Sequence, residues 1–218
     1  MTRSVSSQSS FVSKKNFSTV QTTRKYFATI QQNFDSFTDS KIHLRKVMII
    51  PYTICDGELY YLMVHDARHK EWSFISGGCK GKPLESYIDG AYRELQEETR
   101  NIIDGVSNLS NTFKFDTWLK GEDDRWRAYR IYFLPLEITG HCIECISKYF
   151  QFIPPRNKFE AENNDIRFIK PTEISKMSVW KSTLDVLQHT SFTNEHNHSI
   201  RFQPRYNLNI PHVCPSMD

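Results

Sequence analysis

Acidic residues are missing from the first 34 positions: between Met1 and Phe34 the charges are Arg3, Lys14, Lys15, Arg24 and Lys25. The whole 218-residue chain carries a formal net charge of +3, so with +5 in that arm the remainder sums to −2. Such a body is not built to track a phosphate backbone, and nucleic-acid binding does not follow from net charge. Long hydrophobic runs are also lacking. The longest, Val47 to Ile50 and Ile131 to Leu136, fall far short of the ~20 residues that a bilayer-spanning helix needs, so a soluble or peripheral protein with no membrane partner is expected. Cysteine is sparse, with five residues scattered at 55, 79, 142, 145 and 214. An odd, scattered set does not suggest the disulfide framework of a small secreted domain, and a reducing compartment is expected. With 8 Gly, 9 Pro and 39% hydrophobic residues, the composition is that of one globular domain plus some surplus.

The surplus lies at the two ends. Eleven of the first 25 residues are Ser or Thr, and residues 1–39 are expected to form a disordered or separately processed arm. An acid-free, Ser-rich, basic stretch ending near Arg24-Lys25-Tyr26-Phe27-Ala28 resembles a mitochondrial transit peptide, and the plainer alternative is a solvated arm. A cytoplasmic location is expected, or a mitochondrial one if residues 1 to about 27 are removed as a transit peptide. Residues 191–218, polar and carrying Pro204, Pro211 and Pro215, are expected to be an irregular tail. The domain proper is assigned to residues 40–190.

Within that domain, Val47 to Ile54 and Leu59 to Val64 are strand-like runs flanking Asp56-Gly57, a pair suited to the two positive-φ positions of a tight hairpin turn. Trp72 to Ser76 predicts a short strand leading into Gly77-Gly78. Beyond Pro83 the period becomes helical, with Ile88, Ala91, Leu95 and Thr99 three or four residues apart. Further strands are predicted at Phe113 to Leu119, Arg127 to Ile138 and Ile166 to Ile169. One closing helix is predicted from Pro171 to His189. Strands and helices mix without regular alternation, which points to an α+β fold or a layered α/β/α sandwich.

The densest chemical signal is Arg93-Glu94-Leu95-Gln96-Glu97-Glu98. On a helix Glu94, Glu97 and Glu98 share one face, where like charges at that spacing destabilise the helix unless something compensates. Oxygen-only clusters suit hard divalent cations such as Mg²⁺. Glu85 is expected in the first turn of this helix, where the dipole favours an anion. A bare acidic helix face is more often merely solvated, so the surrounding string decides.

From Gly78 to Asn101 that string resembles the Nudix box: Gly, five residues, Glu, seven residues, Arg-Glu, apolar, any, Glu-Glu, any, Gly, apolar. Glu85, Arg93, Glu94, Leu95, Glu97 and Glu98 match it in type and mutual spacing. Two departures stand out: six residues separate Gly78 from Glu85, and Arg100-Asn101 occupies the final Gly-apolar pair. The resemblance implies the Nudix fold, a mixed β-sheet sandwiched between α-helices, and hydrolysis of a diphosphate linkage in a nucleoside diphosphate derivative. It implies that Glu94, Glu97 and Glu98, with the Gly78 carbonyl, hold Mg²⁺ or Mn²⁺, and that Arg93 orients the carboxylates. Glu98 is one candidate for the general base. A later-loop acid, Glu162 in preference to Glu160, is the other.

Lys80, Lys82, Arg125 and Arg127 are candidate phosphate contacts, and Trp72, Trp118, Trp126 and Tyr129 are candidates to stack on a base. Each has an equally ordinary reading, as surface charge or strand packing. Cys142-x-x-Cys145 lacks the second ligand pair of a structural zinc site, and His196-x-His198 reads as part of the polar tail. Three functions compete: a pyrophosphohydrolase acting on a small nucleotide, an enzyme acting on the 5′ end of RNA, and a catalytically weak module that binds nucleotide or RNA inside a complex. The complete Glu set argues against the last. Oligomeric state is left open by the residues.

Overall fold

The computed structural model describes residues 45–80, 85–103, 109–121, 123–138, 140–202 and 206–207. The N-terminal arm, Lys82 and the tail beyond 207 lie outside the described residues.

The first hairpin forms where Asp56-Gly57 predicted it: β1 (Arg45–Cys55) and β2 (Glu58–Asp66) are antiparallel, and Asp56 and Gly57 have φ of 52° and 78°. β1 is buried along nearly its whole length. A continuous apolar run of this kind suits a central strand covered on both faces, and β1 is one. It runs parallel to β6 (Trp126–Glu137) on one edge. On its other edge, residues 46–49 pair with β4 (Ile75–Gly78) and residues 52–55 with β2. β5 (Lys114–Lys120) continues the sheet beyond β6 as an antiparallel neighbour. β3 (Trp72–Ser73) and β7 (Asn163–Ile169) both pair with β2, and a short β8 (Tyr206–Asn207) meets the end of β6. The predicted strand at 72–76 is two short strands, because Phe74 leaves the ladder and donates its N–H to the Thr183 hydroxyl at 3.2 Å.

Alternate residues of these strands feed two cores. On one face Met48, Ile50 and Tyr52 join Tyr61, Met63, Phe74, Ile131 and Phe133. This face is covered by α3 (Pro171–Ile174), α4 (Lys181–Leu187) and α5 (Thr190–Phe202), which contribute Ile174, Val186 and Phe192. From the opposite face α1 (Tyr87–Thr99) packs on β4 and β1, and α2 (Gly140–Phe152) packs on β7. The fold is therefore α+β, a mixed sheet between helices.

Three expectations are corrected. The single helix predicted for 171–189 is broken in two, because Val179 bridges to Trp72 as a strand would: the Trp72 N–H donates to the Ser178 carbonyl and the Trp180 N–H donates to the Trp72 carbonyl. Residues 190–202 are helical, not an irregular tail, and His196 is buried in the core, where its ring stacks on Phe192 and meets Tyr52, Tyr61 and Phe133. The polar surface of α5 concealed the few inward residues that dock it. Finally, α2 carries Cys142 and Cys145 in a helix that no periodicity had suggested. Among the described residues around Cys142 and Cys145, no group of three or more His, Cys, Asp or Glu that could hold a metal forms.

Candidate active site

The candidate site grows from the β4 to α1 connection. Ser86 caps α1, its hydroxyl accepting the Asp89 N–H at 3.1 Å and donating to the Asp89 carboxylate at 2.6 Å. This cap starts the helix at Tyr87, so Glu85 stands ahead of the cap and outside the first turn. Its anion is held by a cation: Arg93 Nε and Nη2 donate to the two Glu85 oxygens at 2.8 and 3.0 Å. The same guanidinium donates to Glu94 Oε1 at 2.7 Å, Glu97 Oε2 at 3.0 Å and the Gly78 carbonyl at 2.8 Å. One planar fork thus joins five acceptor contacts from loop and helix, the geometry for which Arg is suited and Lys is not. Bonding to Arg93 holds the Glu85 carboxyl below its ordinary range. Burial opposes the Arg93 charge, yet its carboxylate bonds keep the guanidinium more firmly protonated than usual.

Glu94 and Glu98 lie deeper. Burial raises the Glu94 carboxyl above its ordinary value, and burial with the neighbouring Glu94 charge raises Glu98 well above it. Glu98 accepts the Ser76 N–H at 3.2 Å and the Asn163 side-chain amide at 3.4 Å. Lys80 reaches Glu97 at 3.5 Å and Glu94 at 4.0 Å, and its ammonium rides 4.2 Å over the Phe159 ring. Oxygen donors with a buried, cation-poor carboxylate at their centre have the chemistry of a hard-cation site, and Glu94, Glu97, Glu98 and the Gly78 carbonyl are the groups that could hold Mg²⁺ or Mn²⁺. Here Arg93 and Lys80 stand among those carboxylates.

The later-loop acids separate clearly. Glu160 is buried and fully engaged: Arg156 donates its backbone N–H at 2.7 Å and its guanidinium at 2.6 and 2.9 Å. Glu162 is exposed, and its charge acts on Glu98. Arg100, at the place of the box's final Gly, adopts the left-handed conformation (φ 51°) that this Gly would supply. Its guanidinium donates to the carbonyls of Glu160, Phe150, Ile153 and Asn163 and lies 3.9 Å over the Phe150 ring. The exit of α1 is thereby fastened to the end of α2, to the loop at Glu160 and to the start of β7.

Other candidates are less central. Arg127 forks onto Asp123 at 2.7 and 2.8 Å, Arg125 is exposed beside the same Asp, and the Tyr129 hydroxyl is bonded to Ser182 in a buried position. Trp72 belongs to the core, tilted against His65, while Trp126 is 56% exposed at the start of β6 and Trp118 is half-buried. Sequence reasoning missed Lys46, which the pairing of β1 with β4 brings level with Gly78. Only the strand register reveals it, since 32 residues separate the two in the chain.

No family model and no curated protein matches this chain. Solved structures similar to it include the NUDIX domain of Shewanella oneidensis NrtR complexed with ADP ribose, at 15% identity and TM-score 0.49, covering 71% of this chain and 88% of that one. The longer S. oneidensis NrtR chain is spanned over 60% of its length, at 16% identity and TM-score 0.45. The C. elegans Ap4A hydrolase is similar at 9% identity and TM-score 0.45, covering 72% of this chain and 98% of that one.

Proposed function

We propose that this chain is a Nudix-type hydrolase that uses a divalent metal to cleave a diphosphate linkage in a nucleoside diphosphate derivative by attack of water at phosphorus. The observation that carries this reading is the Arg93 fork. It draws Glu85, Glu94, Glu97 and the Gly78 carbonyl together in front of the buried Glu98. An isolated acidic helix face has no reason to build such an assembly, and the six box positions account for every side chain in it.

When bound, Mg²⁺ or Mn²⁺ would offset phosphate charge and lower the pKa of an attacking water. The chain's own residues do the positioning: Arg93 orients the carboxylates, and the Ser76 N–H holds Glu98 against β4. We assign the general base to Glu162, which is exposed and whose charge acts on Glu98, and withdraw Glu160, whose oxygens Arg156 occupies.

The test is a panel of nucleoside triphosphates, dinucleoside polyphosphates, ADP-ribose and capped or 5′-triphosphorylated RNA incubated with the full chain and Mg²⁺, beside Glu98→Gln. Turnover by the native chain and a loss of about 100-fold or more in the variant is expected. Turnover confined to RNA would favour the 5′-end enzyme, and no turnover at all the binding module. Mitochondrial targeting of the N-terminal arm is a separate proposal, decided by the mature N-terminus in the native source.

A further inference from the structure

One ammonium within electrostatic reach of Glu94 and Glu98 has no ion-pair partner among the described residues. Lys46 is the second residue of β1, level with Gly78 of β4 on one side and Tyr129 of β6 on the other. Residues level across adjacent strands project from the same face, and Arg127, two residues before Tyr129, shares that face by the period of the strand. The Lys46 Nζ lies 3.7 Å from the point a β-carbon on Gly78 would occupy. It therefore lies over the same residue whose carbonyl is bonded to Arg93.

Among the described residues no hydrogen bond and no carboxylate within ion-pair distance reaches this nitrogen. The titratable groups that act on it are Arg127, a second cation, and the acids Glu94, Glu98 and Cys79. Burial and the Arg127 charge both disfavour its protonated form. Leaving an ammonium part-buried and unpaired costs free energy unless an anion completes it.

We infer that Lys46, together with Arg127, holds a phosphate group of the substrate beyond the linkage that is cleaved, so that the preferred substrate class is a nucleoside triphosphate or a longer polyphosphate. This rests on the hydrolase reading and deepens it. Charge complementarity decides the class. A terminal phosphate carries about −1.5 to −2 at neutral pH, whereas in a diphosphate esterified at both ends each phosphate carries only a single charge. Arg127 is largely neutralised by its fork onto Asp123, so Lys46 supplies the unspent positive charge that a longer phosphate chain requires. Gly78, without a side chain, leaves the space in front of the ammonium open.

The experiment uses the full chain, Lys46→Gln and Lys46→Arg, with thermal unfolding to show that all three are folded. Inorganic tripolyphosphate is titrated calorimetrically at low salt without divalent metal. Lys46→Gln should weaken binding by about tenfold and Lys46→Arg should restore most of it, as expected for one buried charge-assisted contact. With Mg²⁺, the ratio of kcat/KM for ATP to that for ADP-ribose should fall about tenfold in Lys46→Gln. Unchanged tripolyphosphate affinity, or an unchanged substrate ratio, overturns the inference. Absence of turnover in the native chain would instead sink the hydrolase reading, and the tripolyphosphate titration would still decide whether Lys46 binds phosphate.

Discussion

A β-carbon on Gly77 would lie 1.9 Å from Glu94 Oε1 and 2.0 Å from its carboxyl carbon. Gly77 therefore sits where it does so that the Glu94 carboxylate can press against the β4 backbone and reach Arg93. Gly77→Ala is expected to leave the fold intact, because the clash falls on the far end of a flexible side chain, and to drive Glu94 out of the Arg93 fork. Activity should fall by roughly 100-fold, as a displacement of about 1 Å can do, while the far-ultraviolet circular dichroism stays unchanged. A Gly77→Ala enzyme with native turnover would show that Glu94 is not needed at this position.

Arg93→Lys should behave as a severe change despite conserving charge. A lysine is a point charge and cannot bridge Glu85, Glu94, Glu97 and the Gly78 carbonyl at once. Denaturant unfolding should show a loss of roughly 2 to 3 kcal/mol, within the range for breaking a part-buried hydrogen-bond network. The affinity for Mg²⁺ should fall with it.

Arg100 replaces the glycine of the box at a left-handed position, so Arg100→Gly tests strain against bonding. Glycine would relieve about 1 kcal/mol of backbone strain. It would also abandon the backbone carbonyls of Phe150, Ile153, Glu160 and Asn163, each part-exposed bond contributing roughly 1 kcal/mol net. The bonds outweigh the strain, and Arg100→Gly is expected to lower stability by about 2 to 4 kcal/mol. An unchanged or raised melting temperature would reverse that balance.

His196 predicts a pH dependence of stability. Burial lowers its pKa from 6.5 to about 4, and its Nε2 is buried without a partner. The folded state thus binds fewer protons than the unfolded state between those values. Stability is fully present above pH 6.5 and is lost progressively as the pH falls toward 4, by roughly 3 kcal/mol in all. His196→Phe keeps an aromatic ring against Phe192 and removes the titration. Its melting temperature should show a shallower decline over this window, and an identical slope in both proteins would assign the acid lability elsewhere.

Legibility followed the range of the interactions. The hairpin, the carboxylate helix and the role of Arg93 could be read in advance because each is set by residues within about fifteen positions of one another. Glu85 stands outside the first turn expected from the motif spacing, because Ser86 and Asp89 form a cap that this spacing does not display. α5 reads as a polar tail in sequence because only a few of its residues, among them His196 and Phe192, face the core while their neighbours are polar, and the helix depends on packing against β5 and β6. Glu160 and Glu162 were close to equivalent as residues. The position of Arg156 separates them.

By itself the sequence determined that a sheet with a tight Asp56-Gly57 turn would be followed by a helix presenting three glutamates and an arginine, because periodicity and turn chemistry are local properties. Tertiary structure decided which charges meet. It set Lys46 over Gly78 through strand register, Arg100 onto carbonyls some fifty to sixty residues away in the chain, and Glu98 into a buried position against β4. Coulombic and hydrogen-bonding contacts depend on distance in space, and the sequence records distance only along the chain.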